Sequence, residues 1–142
     1  MLAVKGITMS TLKIALLVSV AMLTAAALCG QARATPSSLL ADYGALSGRA
    51  PDAARGASLF TSRHGRDWSC SSCHGALPVG AGRHTVTGKA IAPMAPAANL
   101  ERFSNTAKTE KWFRRNCNDV LGRECTAGEK ADVLAWLMTL KP

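Results

Sequence analysis

An all-α domain, its helices separated by long loops, is the fold class this sequence predicts, and three observations predict it. Apolar residues recur at helical spacing near both ends of residues 38–140, at Leu39, Leu40, Tyr43 and Leu46 and again at Val133, Leu134, Trp136, Leu137 and Leu140. Residues that start helices stand in front of these runs. The middle of the chain, residues 61–105, shows no apolar periodicity and holds Cys70-Ser71-Ser72-Cys73-His74 instead.

The first 34 residues read as a leader, not as part of the domain. Met1 to Lys13 carries two lysines and no acid, an uncharged stretch runs from Ile14 to Gly30, and Ala32-Arg33-Ala34 is a cleavage signal. That is the layout of a secretory signal peptide spanning 1–34, and a start at Met9 would serve equally. A retained membrane anchor is the competing reading, but the apolar run is short and the cleavage signal follows at once. A lipoprotein anchor at Cys29 would want a small residue where Leu28 stands. The expectation is an exported, periplasmic domain of 108 residues, 35–142, enough for one domain.

Within that domain each element has a reason. A helix over about 38–47 starts at Ser37 or Ser38 and is broken by Gly48 to Asp52. A second, Asp52 to Phe60, sets Gly56 and Phe60 on one face at i, i+4. Residues 61–105 are expected as strand-free loop wrapped round something other than protein, with Val79, Val86, Ile91, Met94 and Leu100 packing on it. Asn105 or Thr106 caps a helix of about 107–116 bearing Trp112 and Phe113. Thr126-Ala127-Gly128-Glu129 fits a capping box for the last helix, through about Leu140.

The loop motif says what that something is. C-x-x-C-H marks covalent attachment of a c-type haem: Cys70 and Cys73 reach two vinyl groups of one porphyrin, and His74 is held under the iron. A thioredoxin-like pair would be expected near a βαβ pattern, which is missing here. A zinc site needs four ligands, and no second C-x-x-C or H-x3-5-H supplies them. Cys29 leaves with the leader and the haem takes Cys70 and Cys73, so two cysteines remain, Cys117 and Cys125. In an oxidising compartment they are expected as a disulfide worth about 2–3 kcal/mol, two buried free thiols being the alternative.

Charge narrows the partners. Lys5, Lys13 and Arg33 leave with the leader, so 17 Lys+Arg become 14 against 9 Asp+Glu, a net +5 that two ionised propionates would bring to about +3. A modest basic surface suits an acidic protein partner. Nucleic acid is not expected, because the basic residues are scattered and the three tryptophans are read as packing residues.

The helix with Gly56 and Phe60, the C-x-x-C-H motif and the terminal helix with Trp136 resemble a class I cytochrome c, in which the first and last helices cross near a small residue against an aromatic. Thr87-Gly88-Lys89-Ala90-Ile91-Ala92-Pro93-Met94-Ala95-Pro96, Glu110-Lys111-Trp112-Phe113-Arg114-Arg115-Asn116-Cys117-Asn118 and Gly122-Arg123-Glu124-Cys125-Thr126 resemble the sphaeroides haem protein family, across roughly residues 37–140. That resemblance implies the all-α class I cytochrome c fold around one covalent haem c, with an asparagine as sixth iron ligand in the oxidised state, here Asn116. It also implies a Cys117–Cys125 disulfide and a dihaem cytochrome c or other redox protein as electron source. Oxygen or nitric oxide is then expected to bind at ferrous haem, with oxygen- or nitric-oxide-consuming activity as a further possibility. An amide oxygen is a weak donor, and reduction should loosen it.

Other ligands compete. Met94, twenty residues after His74 and flanked by Pro93 and Pro96, would make an ordinary low-spin electron carrier. That spacing is short for a distal methionine, whereas Asn116 lies forty-two residues on, and a loop methionine often packs against haem. Asn118 is the nearest rival to Asn116. Met138, His64 and His84 are weaker, the two histidines being read as exposed loop residues. Trp112 and Arg115 are read chiefly as packing and solvated residues, with a part in shaping the distal side as the alternative.

Overall fold

The computed structural model describes residues 33–65 and 67–142; the leader expected over 1–34 lies almost wholly outside them. Helix α1, Pro36–Ser47, starts one residue before the earliest expected cap. Thr35 is the N-cap, exchanging hydrogen bonds with Ser38, and Pro36 sits where no amide hydrogen is needed. It buries Leu39 and Tyr43 and stops at Gly48, whose φ of 67° favours glycine. Leu46, expected on the same face, is exposed in the last turn of the helix.

Helix α2, Ala53–Thr61, begins at Asp52, whose carboxylate accepts from the Arg55 amide. Its buried residues are the expected Gly56 and Phe60. A single turn, α3, spans Ser71–His74, with Ser69 and Ser72 exchanging hydrogen bonds at its start. The loop that follows is not strand-free. Gly82–Arg83 (β1) and Ala90–Ile91 (β2) pair antiparallel, Gly82 opposite Ile91 and Arg83 opposite Ala90. Two residues per strand are too few for side-chain alternation to announce them.

Helix α4 runs from Thr106 to Leu121, five residues beyond the expected end. Asn105 caps it by accepting from the Lys108 amide, and Gly122 closes it at φ 72°. The asparagines and aspartate after Arg115 are poor helix formers, but Phe113, Cys117 and Val120 form a buried stripe, and burial overrides propensity. Asn116 and Cys117 therefore belong to the helix, not to a following loop. Helix α5, Ala127–Thr139, has the expected capping box between Thr126 and Glu129, and Arg123 clamps the Glu129 carboxylate at 2.7 and 2.8 Å.

The core forms where α1 and α2 pack on α5. A β-carbon on Gly56 would collide with the Asp132 carbonyl and the Val133 amide, so the backbones of α2 and α5 touch there. One turn on, the Phe60 and Trp136 rings lie 4.9 Å apart. Leu39, Phe60, Leu134 and Leu137 fill the centre. Beside the crossing, buried Asp132 accepts from Arg49 at 2.6 and 3.2 Å, Arg55 at 3.0 and 3.2 Å and the Asp52 amide at 2.7 Å. These bonds outweigh burial and hold its carboxyl down at about 2. A second network joins three helices: Glu110 accepts from Tyr43 at 2.5 Å and Lys130 at 2.6 Å, and Lys130 lies over the Tyr43 ring. Among the described residues no helix is long and apolar enough to cross a membrane.

Candidate functional site

Cys70, Cys73 and His74 sit together on and before the single turn α3. Cys70 and Cys73 are unbonded thiols, while Cys117 and Cys125 are joined as a disulfide, with Cα atoms 5.6 Å apart. The turn is held from both sides. Phe60 of α2 lies 6.1 Å from the His74 ring, and a β-carbon on Gly82 of β1 would run into the Cys73 carbonyl. Burial, with the nearby Arg102 charge, pushes the His74 imidazole down to about 4, so at neutral pH it is uncharged and offers a nitrogen lone pair. Burial pushes the Cys70 thiol up to about 11, the reverse of what a thioredoxin-like nucleophile requires. Among the described residues no three His, Cys, Asp or Glu side chains converge into a metal cage, so a structural zinc lacks its ligands.

The surroundings fit a porphyrin. Two unbonded thiols and a neutral imidazole on one turn are the donor set a c-type haem uses. The loop beside them leaves large apolar side chains uncovered by protein, Val86 at 74% exposure and Leu100 at 87%. Val79, Ile91 and Met94 are partly buried. Met94 packs against the main core, and its amide donates to the Pro78 carbonyl at 2.9 Å. Arg102 fixes the same segment by donating to the carbonyls of Pro93 and Ala92 at 2.9 and 2.7 Å.

Helix α4 brings up the other side. An open cleft of about 400 Å³ is lined by Trp68, His84 and Val86 from the segment around the motif and by Arg115 and Asp119 from α4. Asn116 lies between the buried face of Phe113, Cys117 and Val120 and the outward stripe of Trp112, Arg115 and Asp119. It is half-buried, and its carboxamide is open to water and makes no hydrogen bond to another described residue. Asn118 differs on both counts: it is exposed, and its amide donates to the Arg114 carbonyl at 2.8 Å.

The other histidines have local work. The His64 ring bonds the Leu59 carbonyl at 2.8 Å, and His84 Nδ1 accepts from the amides of Val86 and Thr87. Contrary to the packing reading, Trp112 is 40% exposed, with the Arg115 guanidinium 5.7 Å from its ring centre. Sequence reasoning missed Arg102, Asp132 and Gly82. Only Gly82 carried a signal, as a glycine in a loop where a backbone must approach closely.

Helices crossing at a glycine against an aromatic, with the attachment motif between them, define a class I c-type cytochrome carrying one covalent haem c. Residues 47–137 match a domain described only as a domain of unknown function, DUF1924. The chain is 50% identical over 121 residues to the cytochrome c-type protein SHP of Cereibacter sphaeroides, covering 82% of this chain and 92% of that protein. It is 42% identical over 80 residues to cytochrome c'' of Methylophilus methylotrophus, 56% of each. The structure of oxidised SHP, described as an oxygen-binding cytochrome c, superposes with a TM-score of 0.70 over 75% of this chain and 98% of that one. Oxidised cytochrome c'' gives 0.69 at 32% identity, over 75% and 95%. The chain belongs to the SHP family, the sphaeroides haem proteins.

Proposed function

We propose that this cytochrome takes one electron at a time from a redox protein and binds a diatomic gas, oxygen or nitric oxide, at a position that Asn116 holds in the oxidised state and gives up on reduction. Cys70 and Cys73 tether the haem, and His74 supplies the proximal nitrogen. The haem brings a one-electron couple and an iron able to bind gases. His74 serves by being neutral and half-buried, so its lone pair is not lost to a proton near pH 7. Asn116 serves by being weak: an amide oxygen holds the harder ferric ion and lets the softer ferrous ion go.

The observation that carries this reading is the contrast on α4. Asn116 alone of the two candidate asparagines is half-buried with an unengaged carboxamide, while Met94 packs against the protein core. The relative described as an oxygen-binding cytochrome c supports the same reading. The leader expected over residues 1–34 directs the domain to the periplasm, where a dihaem cytochrome c is the electron donor that the family resemblance suggests.

The test is Asn116→Ala in the full haem protein. Haem stays attached, the ferric absorption and electron paramagnetic spectra change, and azide binds ferric iron faster, since no internal ligand has to leave first. Ferric spectra and azide rates equal to those of the unmodified protein would return the assignment to Met94 or Asn118.

A further inference from the structure

One surface of α4 carries an exposed and largely unpaired basic stripe around a tryptophan. Lys108, Lys111, Trp112 and Arg115 follow one another at helical spacings of three, one and three, which places all four within about 100° of the helix circumference. All are exposed. Lys108 and Lys111 take part in no ion pair among the described residues, and Arg115 has only a 3.9 Å contact to Asp119 at the far end of the stripe. The other acid of the helix, Glu110, points elsewhere and is occupied by Tyr43 and Lys130. Trp112 keeps 40% of its surface in water beneath the Arg115 guanidinium.

A half-exposed tryptophan joined to an arginine is the composition of an interface hot spot, and unpaired lysines around it raise association rates with partners of opposite charge. The stripe also adjoins the haem side of the helix: Trp112 stands one turn before Asn116, and Arg115 lines the cleft shared with Trp68 and His84. We propose that this stripe docks the acidic face of an electron-donor protein. The step is a single electron passing from the reduced centre of that protein to ferric iron, leaving the donor oxidised by one electron and the iron ferrous. This rests on the reading of the domain as an electron acceptor, and it names the face at which the electron arrives.

The test uses the complete haem protein with a photoreduced plant-type ferredoxin, an acidic one-electron donor, in stopped flow across a range of ionic strength. The unmodified protein is reduced rapidly at low salt and more slowly as salt rises. A Lys108→Glu, Lys111→Glu double variant should lose at least about tenfold in rate at low salt and most of its salt dependence. Trp112→Ala should lower the rate while keeping the salt slope. A Lys141→Glu, Arg63→Glu variant changes net charge equally at positions outside α4 and should stay within about twofold of the unmodified protein. Reduction by a neutral hydroquinone should be the same in all of them.

The assignment is overturned if the control variant loses as much rate as the stripe variant. It is equally overturned if the stripe variant keeps both rate and salt slope, or if the hydroquinone rate falls too. The ferric spectrum reports the Asn116 reading independently of these rates, so the two can fail separately.

Discussion

Replacing Asp132 by Asn removes one negative charge from the place where α5 meets the start of α2, and leaves two guanidinium groups facing an amide. Asp132 is 3% exposed and accepts from Arg49, Arg55 and the Asp52 amide, so the loss is not made good by water. Its carboxyl is held at about 2 against an ordinary 3.8, and a depression of that size corresponds to about 2 kcal/mol of folding stability at pH 7. Breaking a fully buried pair costs about 3–5 kcal/mol. Arg49 and Arg55 are each about half in water, which places the expected loss near the lower figure.

The sign with pH follows from the lowered value. The contribution is complete above the unfolded-state pKa near 4 and fades as pH falls through about 2, so by pH 3 about half of it is gone. Urea unfolding of the haem protein, followed by the Soret band and far-ultraviolet circular dichroism, should show Asp132→Asn less stable by about 2–3 kcal/mol at pH 7, with the gap narrowing at pH 3. A gap under about 0.5 kcal/mol, or one that does not change between these pH values, would refute the reasoning.

Three further outcomes are expected. Cys70→Ala with Cys73→Ala should abolish covalent haem, seen as loss of haem stain on a denaturing gel, and stain persisting in the double variant would sink the attachment reading. Gly56→Ala should cost about 3 kcal/mol or more in the same urea assay, because the new methyl meets the α5 backbone and not a yielding side chain. Cys117→Ser with Cys125→Ser should lower stability by about 2–3 kcal/mol and alter ferric ligation at temperatures where the variant is still folded; finding two free thiols in the oxidised native haem protein, in which Cys70 and Cys73 are thioethers, would remove its premise.

Much of the frame was legible because it is local. Thr126 and Glu129 announce a capping box, Gly56 and Phe60 share a face, and C-x-x-C-H needs no third dimension to be read. What escaped was decided by tertiary contact. The last turns of α4 are made of residues that favour helix ends, and burial of Cys117 and Val120 carries the helix on to Gly122. The β1–β2 pair is too short to show alternation, and the second arginine on Asp132 comes from a loop more than eighty residues away. The basic residues of α4 look scattered in the sequence, and only the structure sets them in one exposed stripe with Trp112 facing water and not the core.

Both sides of the proposed iron site are referenced to one element. His74 closes a turn packed on Phe60, and Phe60 lies with its ring tilted against Trp136 of α5, on the helix whose backbone touches α5 at Gly56. Asn116 precedes Cys117, which is bonded to Cys125, and Cys125 adjoins the Thr126 cap that begins α5. Arg123, between these anchors, holds the capping Glu129 from the same turn. The His74 segment therefore rests on the middle of α5, and the Asn116 segment is tied to its start. The first contact is broad and buried, while the second is a single disulfide, from buried Cys117 to half-buried Cys125, spanning an exposed turn, so motion of the Asn116 segment is the less costly of the two. Unpinning α4 by reducing the staple should accordingly disturb Asn116 before it disturbs His74, which is the order that the proposed release of Asn116 on reduction would require.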